Sequence, residues 1–221
     1  EALVRWNHPD HGLLGPQRFI TLAERSGLMG RMTRAVMTLA FDQSARWKAA
    51  GLDVGVAVNV TPTSLGPDLP AQVAALAARH GVQPERVTLE ITEQRLSGDP
   101  SATQAVLTRL RMQGFNLSLD DYGSEFSTAP RLRQLPFNEI KIDGEAIRRA
   151  VVDRNARSVL TTGLKIGREL QIPIVAEGVE TRAEWDLIVD CCCQLAQGFY
   201  IARPLPADEV LAWTRARLAR G

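Results

Sequence analysis

Short apolar runs alternate with longer helical segments along the whole chain, and that order limits the possible folds more than any other feature. A strand, a covering helix and a second strand pair in parallel, because the helix returns the chain to the end where the first strand began. Val54 to Val60 is rich in valine and reads as a buried strand. Arg86 to Thr92, Phe115–Leu119, Glu139–Ile142, Ile172 to Ala176 and a weak Gln194 to Gln197 follow, and Ala2 to Trp6 looks extended. Helical spacing occupies the intervals. Arg18 to Glu24 follows Pro16, Gly27 interrupts, and Met29 to Ala50 runs on until Gly51. Pro70 to Arg79 stops near Gly81 and Ser101 to Met112 at Gly114. A short stretch near Thr128–Gln134 precedes a strongly amphipathic Asn155 to Leu170, then Thr181 to Asp190 and Asp208 to Leu218.

These are seven candidate strands in 221 residues, where an eight-stranded α/β barrel typically takes about 250 residues. The expected fold class is therefore α/β, a modified (β/α)8 TIM-type barrel that lacks its N-terminal strand in this chain. We read residues 1–221 as one domain. An open doubly wound sheet is the alternative, but no glycine-rich phosphate loop follows an early strand. The chain starts at Glu1 without a methionine, so it reads as a piece of something longer or a trimmed chain.

Composition excludes several functions. No apolar run approaches the ~20 residues that span a bilayer, and no signal-peptide pattern opens the chain. A formal net charge of +1 argues against a general surface for nucleic acid polymers, while leaving room for a local pocket for a small phosphate ligand. Cys191, Cys192 and Cys193 are consecutive, without the spacing of a zinc site or a disulfide framework. We read them as reduced and structural, in a cytoplasmic setting. His8 and His11 fall in a turn containing proline and glycine, and no H-E-x-x-H helix exists.

Polar residues recur where the strands end, which in a parallel barrel is where chemistry is carried. Asp120-Asp121 closes the run Phe115–Leu119 and is followed by Tyr122-Gly123. Two adjacent carboxylates repel, and a hard divalent cation removes that cost. Neighbouring residues project to opposite faces of a strand, so sharing an ion requires Asp121 to be turning already. Asn59 interrupts an apolar run, Glu90 and Glu93 lie at the end of another, Lys141 and Asp143 flank Ile142, Glu177 ends a run at Ala176, and Gln197 precedes Gly198. Each has a bland explanation: a satisfied core amide, an exposed strand face, a surface ion pair worth little, a plain turn. Their joint placement at successive strand ends is harder to assign to surface decoration. Buried acids without partners are costly, so the set predicts cations at its centre. Oxygen donors alone point to Mg²⁺ or Mn²⁺ rather than zinc, and the chemistry fits metal-assisted hydrolysis of a phosphate ester.

The same residues resemble a known family. Glu1-Ala2-Leu3-Val4-Arg5-Trp6 is similar to the signature that names the bacterial EAL domains, which are cyclic-di-GMP-specific phosphodiesterases. Asn59-Val60-Thr61-Pro62 resembles the family's N-V-S, Glu90-Ile91-Thr92-Glu93 its E-x-T-E, and Asp120-Asp121-Tyr122-Gly123 its D-D-F-G. Lys141-Ile142-Asp143 resembles K-I-D, Ala176-Glu177-Gly178-Val179-Glu180 resembles A-E-G-V-E, and Gln197-Gly198-Phe199 with Pro204-Leu205 resembles Q-G-Y…P-L. The resemblance covers essentially the whole chain. It implies cleavage of cyclic-di-GMP to linear pGpG in bacterial second-messenger signalling, with two Mg²⁺ or Mn²⁺ ions. It implies metal ligation by Glu1, Asn59, Glu90, Asp120 and Asp121, with Asp120 shared. It places Lys141 and Glu177 on the nucleophilic water without ranking them, with Glu93 anchoring the loop after the aspartates as part of the catalytic set. Arg5, Gln197 and Asp143 would serve substrate binding, Arg5 by its planar fork on a phosphate. A homodimer and an upstream sensory or regulatory domain are implied as partners, with no membrane contact by this domain.

Three features depart from the family pattern. Glu125 stands where the loop motif has glycine, which adds a carboxylate and strains any positive φ there. Ala146 stands where phenylalanine is common, a packing change. A strand that precedes the EAL signature in the family is absent. The alternative function is therefore a catalytically impaired EAL domain that acts as a cyclic-di-GMP receptor or protein-interaction module.

Overall fold

The computed structural model describes residues 1–61, 64–92, 100–123 and 134–219. The chain divides into two compact units, Glu1–Glu90 with Gly98–Phe115, and Ile91–Ser97 with Asn116–Gly221.

The first unit opens with a small antiparallel hairpin, β1 (Trp6–His8) and β2 (Gly12–Leu14), in register Trp6↔Leu14. Sequence reasoning expected the strand at Ala2 to Trp6. Instead the extended residues before Trp6 reach the sheet through Ala2, whose N–H donates to the Ala57 carbonyl at 2.8 Å. The Trp6 ring meets Phe19 edge-on, with centroids 5.8 Å apart. The helical stretch after Pro16 is a single 3-10 turn, Pro16–Arg18, and then α1 (Ile20–Arg25). Gly27 takes φ +65 and separates it from α2 (Met29–Ala49). α2 lies against β3 (Val56–Asn59) and α3 (Leu69–His80). β3 pairs in parallel with β4 (Val87–Thr92), in register Val56↔Val87 through Asn59↔Glu90. α4 (Pro100–Met112) buries Val106, Leu107 and Leu110. Phe41, Val58, Leu89, Leu107, Leu110 and Phe115 are fully enclosed, so the apolar face of each element is the one turned to the core.

In the second unit β5 (Asn116–Tyr122), β6 (Glu139–Ile142), β7 (Ile174–Ala176) and β8 (Leu195–Ala196) pair in parallel in sequence order. Leu117, Leu119, Ile140, Ile142, Ile174 and Ala176 are enclosed. Near-continuous apolar strands are what a sheet covered on both faces requires. The helices among the described residues are α5 (Gly144–Val152), α6 (Arg157–Leu170), α7 (Arg182–Asp190) and α8 (Ala207–Leu218). α6 approaches β7 so closely that a Cβ on Gly167 would stand 2.6 Å from Ile174 Cγ1. Thr181 and Glu184 form a reciprocal capping box at the start of α7.

α5 is a helix the sequence reading did not anticipate. Its signal is present: Asp143 before Gly144 as an N-cap, then Ala146, Ile147 and Ala150 on one face. Taken as strand-end polarity, Asp143 hid its capping role. The expected helical stretch near Thr128–Gln134 lies outside the described residues apart from Gln134. Cys191, Cys192 and Cys193 carry free thiols. Among the described residues no helix is long and apolar enough to cross a membrane.

Candidate active site

Period-two alternation in β5 sends Leu117 and Leu119 into the core, and it would send Asp120 and Asp121 to opposite faces. The backbone changes that at the last step. Pairing with β6 runs Leu119↔Ile140 and then Tyr122↔Ile142, so one extra residue is accommodated on β5. Asp121 takes φ +60 at this bulge, a conformation that non-glycine residues hold only where the surroundings enforce it. Its N–H donates to Asp120 Oδ1 at 3.0 Å. Oxygens of Asp120, Asp121 and Glu177 thereby lie within 4.8 Å of one another. Glu177 reaches the group from β7, where its N–H donates to the Ile142 carbonyl at 3.0 Å and extends the ladder past the strand.

Lys141 enters from β6. Its side chain is 3% exposed, its Nζ is 2.6 Å from Glu177 Oε1 and 3.9 Å from Asp120 Oδ1. The surface ion pair considered for Lys141 and Asp143 is thus replaced by a buried ammonium that serves two carboxylates. Among the described residues Lys141 pairs with two of the three acids, Asp120 and Glu177. Burial raises the Glu177 carboxyl, Lys141 opposes that rise, Asp120 adds to it, and the pKa is pushed up to about 8. Three carboxyl groups that bring hard oxygens to one point suit a divalent cation of the magnesium or manganese type.

The first unit holds a second group of the anticipated residues. Asn59 Nδ2 donates to Glu1 Oε1 at 2.8 Å. Asn59 sits opposite Glu90 in the parallel register, and the Val60 N–H donates to the Glu90 carbonyl at 2.9 Å. Glu90 is 2% exposed, Glu1 and Asn59 are exposed. The core-amide explanation for Asn59 therefore does not hold. Arg5 is exposed and donates from Nη1 to the Val4 carbonyl at 2.9 Å.

In the second unit, half-buried Gln197 is fixed by its backbone, donating to the Ala176 carbonyl at 2.8 Å and accepting from the Val179 N–H at 3.1 Å. Asp143 Oδ1 accepts from the Glu145 N–H at 2.8 Å and caps α5. Glu93 and Glu125 lie outside the described residues. Ala146, where the family often has phenylalanine, is buried in α5.

Sequence reasoning missed two glycines. A Cβ on Gly144 would come within 3.1 Å of Gly178 Cα and 3.2 Å of the Glu177 carbonyl oxygen, and Gly178 itself takes φ +58. The start of α5 and the turn after Glu177 therefore touch backbone to backbone, and no larger residue lets Glu177 approach so closely. The dipeptides Asp143-Gly144 and Glu177-Gly178 at two strand ends were the available signal.

The EAL domain family model matches residues 1–204. The chain is 36% identical over 214 residues to the bifunctional diguanylate cyclase/cyclic di-GMP phosphodiesterase MucR of Pseudomonas aeruginosa, covering 96% of this chain and 31% of MucR. It thus spans about a third of the length of that curated relative. A solved structure described as the PaMucR phosphodiesterase in complex with c-di-GMP superposes with TM-score 0.89 and 34% identity, covering 94% of this chain and 85% of that one. The manganese and cyclic-di-GMP complex of Klebsiella pneumoniae BlrP1 superposes with TM-score 0.74 and 26% identity, covering 83% and 46% respectively. With its strand-end motifs, its α/β order and its superposition on these structures all in agreement, the chain belongs to the EAL domain family.

Proposed function

We propose that the chain is a phosphodiesterase that hydrolyses cyclic-di-GMP to pGpG with two Mg²⁺ or Mn²⁺ ions. The observation that carries the reading is the convergence of Asp120, Asp121 and Glu177 within 4.8 Å around a buried lysine. MucR and BlrP1, whose structures hold the dinucleotide, support the substrate, and BlrP1 supports the class of metal. In this reading Glu1, Asn59, Glu90 and Asp120 hold one ion, and Asp120 with Asp121 holds the second. When bound, the ions supply Lewis acidity to a phosphate oxygen and lower the pKa of a water. The residues do the rest. The water oxygen bonds to phosphorus, the bond from phosphorus to the 3′ oxygen breaks, that oxygen takes up a proton from solvent to become the 3′ hydroxyl, and a 5′-phosphate remains on the linear product. Ionised Glu177 accepts the water proton, and the buried Lys141 ammonium orients that carboxylate and offsets developing phosphate charge. Arg5 forks onto a phosphate, Gln197 and Asp143 border the substrate, and Glu93 anchors the loop after the aspartates. The domain works in second-messenger signalling in the cytoplasm, as a homodimer, joined to an upstream sensory or regulatory domain.

The test is incubation with cyclic-di-GMP and Mg²⁺ or Mn²⁺, followed by nucleotide separation. Appearance of pGpG, abolished by Asp120→Asn, supports the proposal. Tight binding without turnover would replace it by the receptor reading, which Glu125 in the loop motif favours. Turnover that survives Asp120→Asn would refute the metal role of that residue.

A further inference from the structure

A cavity of about 860 Å³ opens in the first unit between α2 and α3, among residues that the hydrolysis proposal leaves unused. Its floor is apolar, with Met37 and Val73 buried beneath it. Its rim is basic. Arg31 and Arg34 come from α2 and Arg79 comes from α3, and among the described lining residues Asp68 is the one carboxylate.

Helical spacing aims these side chains at a shared space. Arg31, Arg34 and Thr38 recur along one face of α2, and Gln72, Leu76 and Arg79 along one face of α3. Among the described residues none of the three guanidiniums has a carboxylate partner. Arg34 donates to the neutral amide of Gln72 at 3.3 Å. Some arginines elsewhere on the helices pair with acids, Arg46 with Asp42 at 2.6 Å, Arg149 with Glu145 at 2.9 Å and Arg182 with Asp186 at 2.7 Å, while Arg109 and Arg157 donate to the Pro67 and Ala150 carbonyls. On the side nearest the β3–α3 connection, Ser64 donates to the buried Thr33 at 3.4 Å, which adds hydroxyls to the wall.

We infer that this cavity binds a phosphate-bearing small molecule of nucleotide size. Guanidinium forks match phosphate oxygens in pairs, and the apolar floor offers a flat ligand body a dry surface. The volume lies within the range of small-molecule sites. The inference stands independently of the proposed hydrolysis, since no residue of that site contributes to it.

The experiment is calorimetric titration of the chain, at low salt and without divalent ions, with GMP, inorganic pyrophosphate and guanosine. GMP and pyrophosphate should bind and guanosine should not. Arg31→Ala and Arg79→Ala should each weaken GMP binding about tenfold, the loss expected for one charged hydrogen-bonding group, with unchanged melting temperatures. Asp120→Asn should leave GMP binding intact. Absence of binding at millimolar ligand, equal binding of guanosine, or loss with Asp120→Asn but not with the arginine variants would overturn the inference. So would preferential binding of polyglutamate, which would assign the basic rim to an acidic protein partner.

Discussion

Glu177→Gln should stabilise the metal-free domain at alkaline pH while impairing hydrolysis. Burial holds the Glu177 carboxyl protonated up to about pH 8, against an ordinary value of 4.5. Below 4.5 both folded and unfolded chains carry the proton. Between 4.5 and 8 the unfolded chain has lost it and the folded chain keeps it, so stability falls as pH rises. The slope for one proton is about 1.4 kcal/mol per pH unit. From pH 6 to pH 8 the wild type should lose roughly 2 kcal/mol from this residue, allowing for partial ionisation near pH 8. Glutamine copies the shape of the protonated acid, accepts from Lys141 as the acid does, and does not titrate. The lead of the variant over the wild type should therefore widen with pH, by roughly 4–8 °C between pH 6 and pH 8 for a chain of this size. Thermal melts in EDTA across pH 5–9 read this directly. Mg²⁺ at pH 8 should then raise the wild-type melting temperature more than that of the variant, because an ion favours the ionised carboxylate. Parallel pH profiles for the two proteins would show that Glu177 is already ionised in the folded chain and would refute the burial argument.

Gly144→Ala should displace the turn carrying Glu177, since the new methyl meets Gly178 Cα at 3.1 Å. Mn²⁺ affinity by calorimetry should fall severalfold with little change in melting temperature, and unchanged affinity would mean the turn yields without moving the carboxylate. Gly123→Ala should destabilise, because φ is +95 and the Cβ falls 2.5 Å from Val159 Cγ1. A loss of about 1–3 kcal/mol in chemical denaturation is expected. Glu184→Ala should cost roughly 1–3 kcal/mol, as the buried carboxylate accepts from the Glu180 and Thr181 N–H groups at 2.6 and 3.0 Å. Glu184→Gln should recover part of that loss.

Much of this molecule was legible beforehand because local rules act strongly on it. Gly81 at φ +67 and Gly114 at φ +93 end helices where the glycines stood in the sequence. β6 spans the anticipated Glu139–Ile142, because a short apolar run between polar residues has few other ways to be buried. The hairpin at Trp6–His8 escaped, since three-residue strands carry too little periodicity to separate from an extended lead-in. α5 escaped because Asp143 fitted two patterns at once, a strand end and a helix cap. Side-chain chemistry at the strand ends was visible as residue type and order. The charge state of Glu177 was not, since it depends on how much water packing removes.

The order of strands and helices, and the acids, amide and lysine at the strand ends, are properties of the linear chain, because alternation and punctuation act over a few residues. Three features arise only on folding. The β5 bulge, with Asp121 at φ +60, turns neighbouring aspartates toward a common point. The enclosure of Lys141 sets its ammonium 2.6 Å from Glu177 Oε1, where the removal of water governs the charge state of that carboxyl. The backbone contact of Gly144 with Gly178 brings Glu177 to that lysine. Each depends on residues distant in sequence meeting at close range, where dielectric and steric fit, rather than residue type, set the energy.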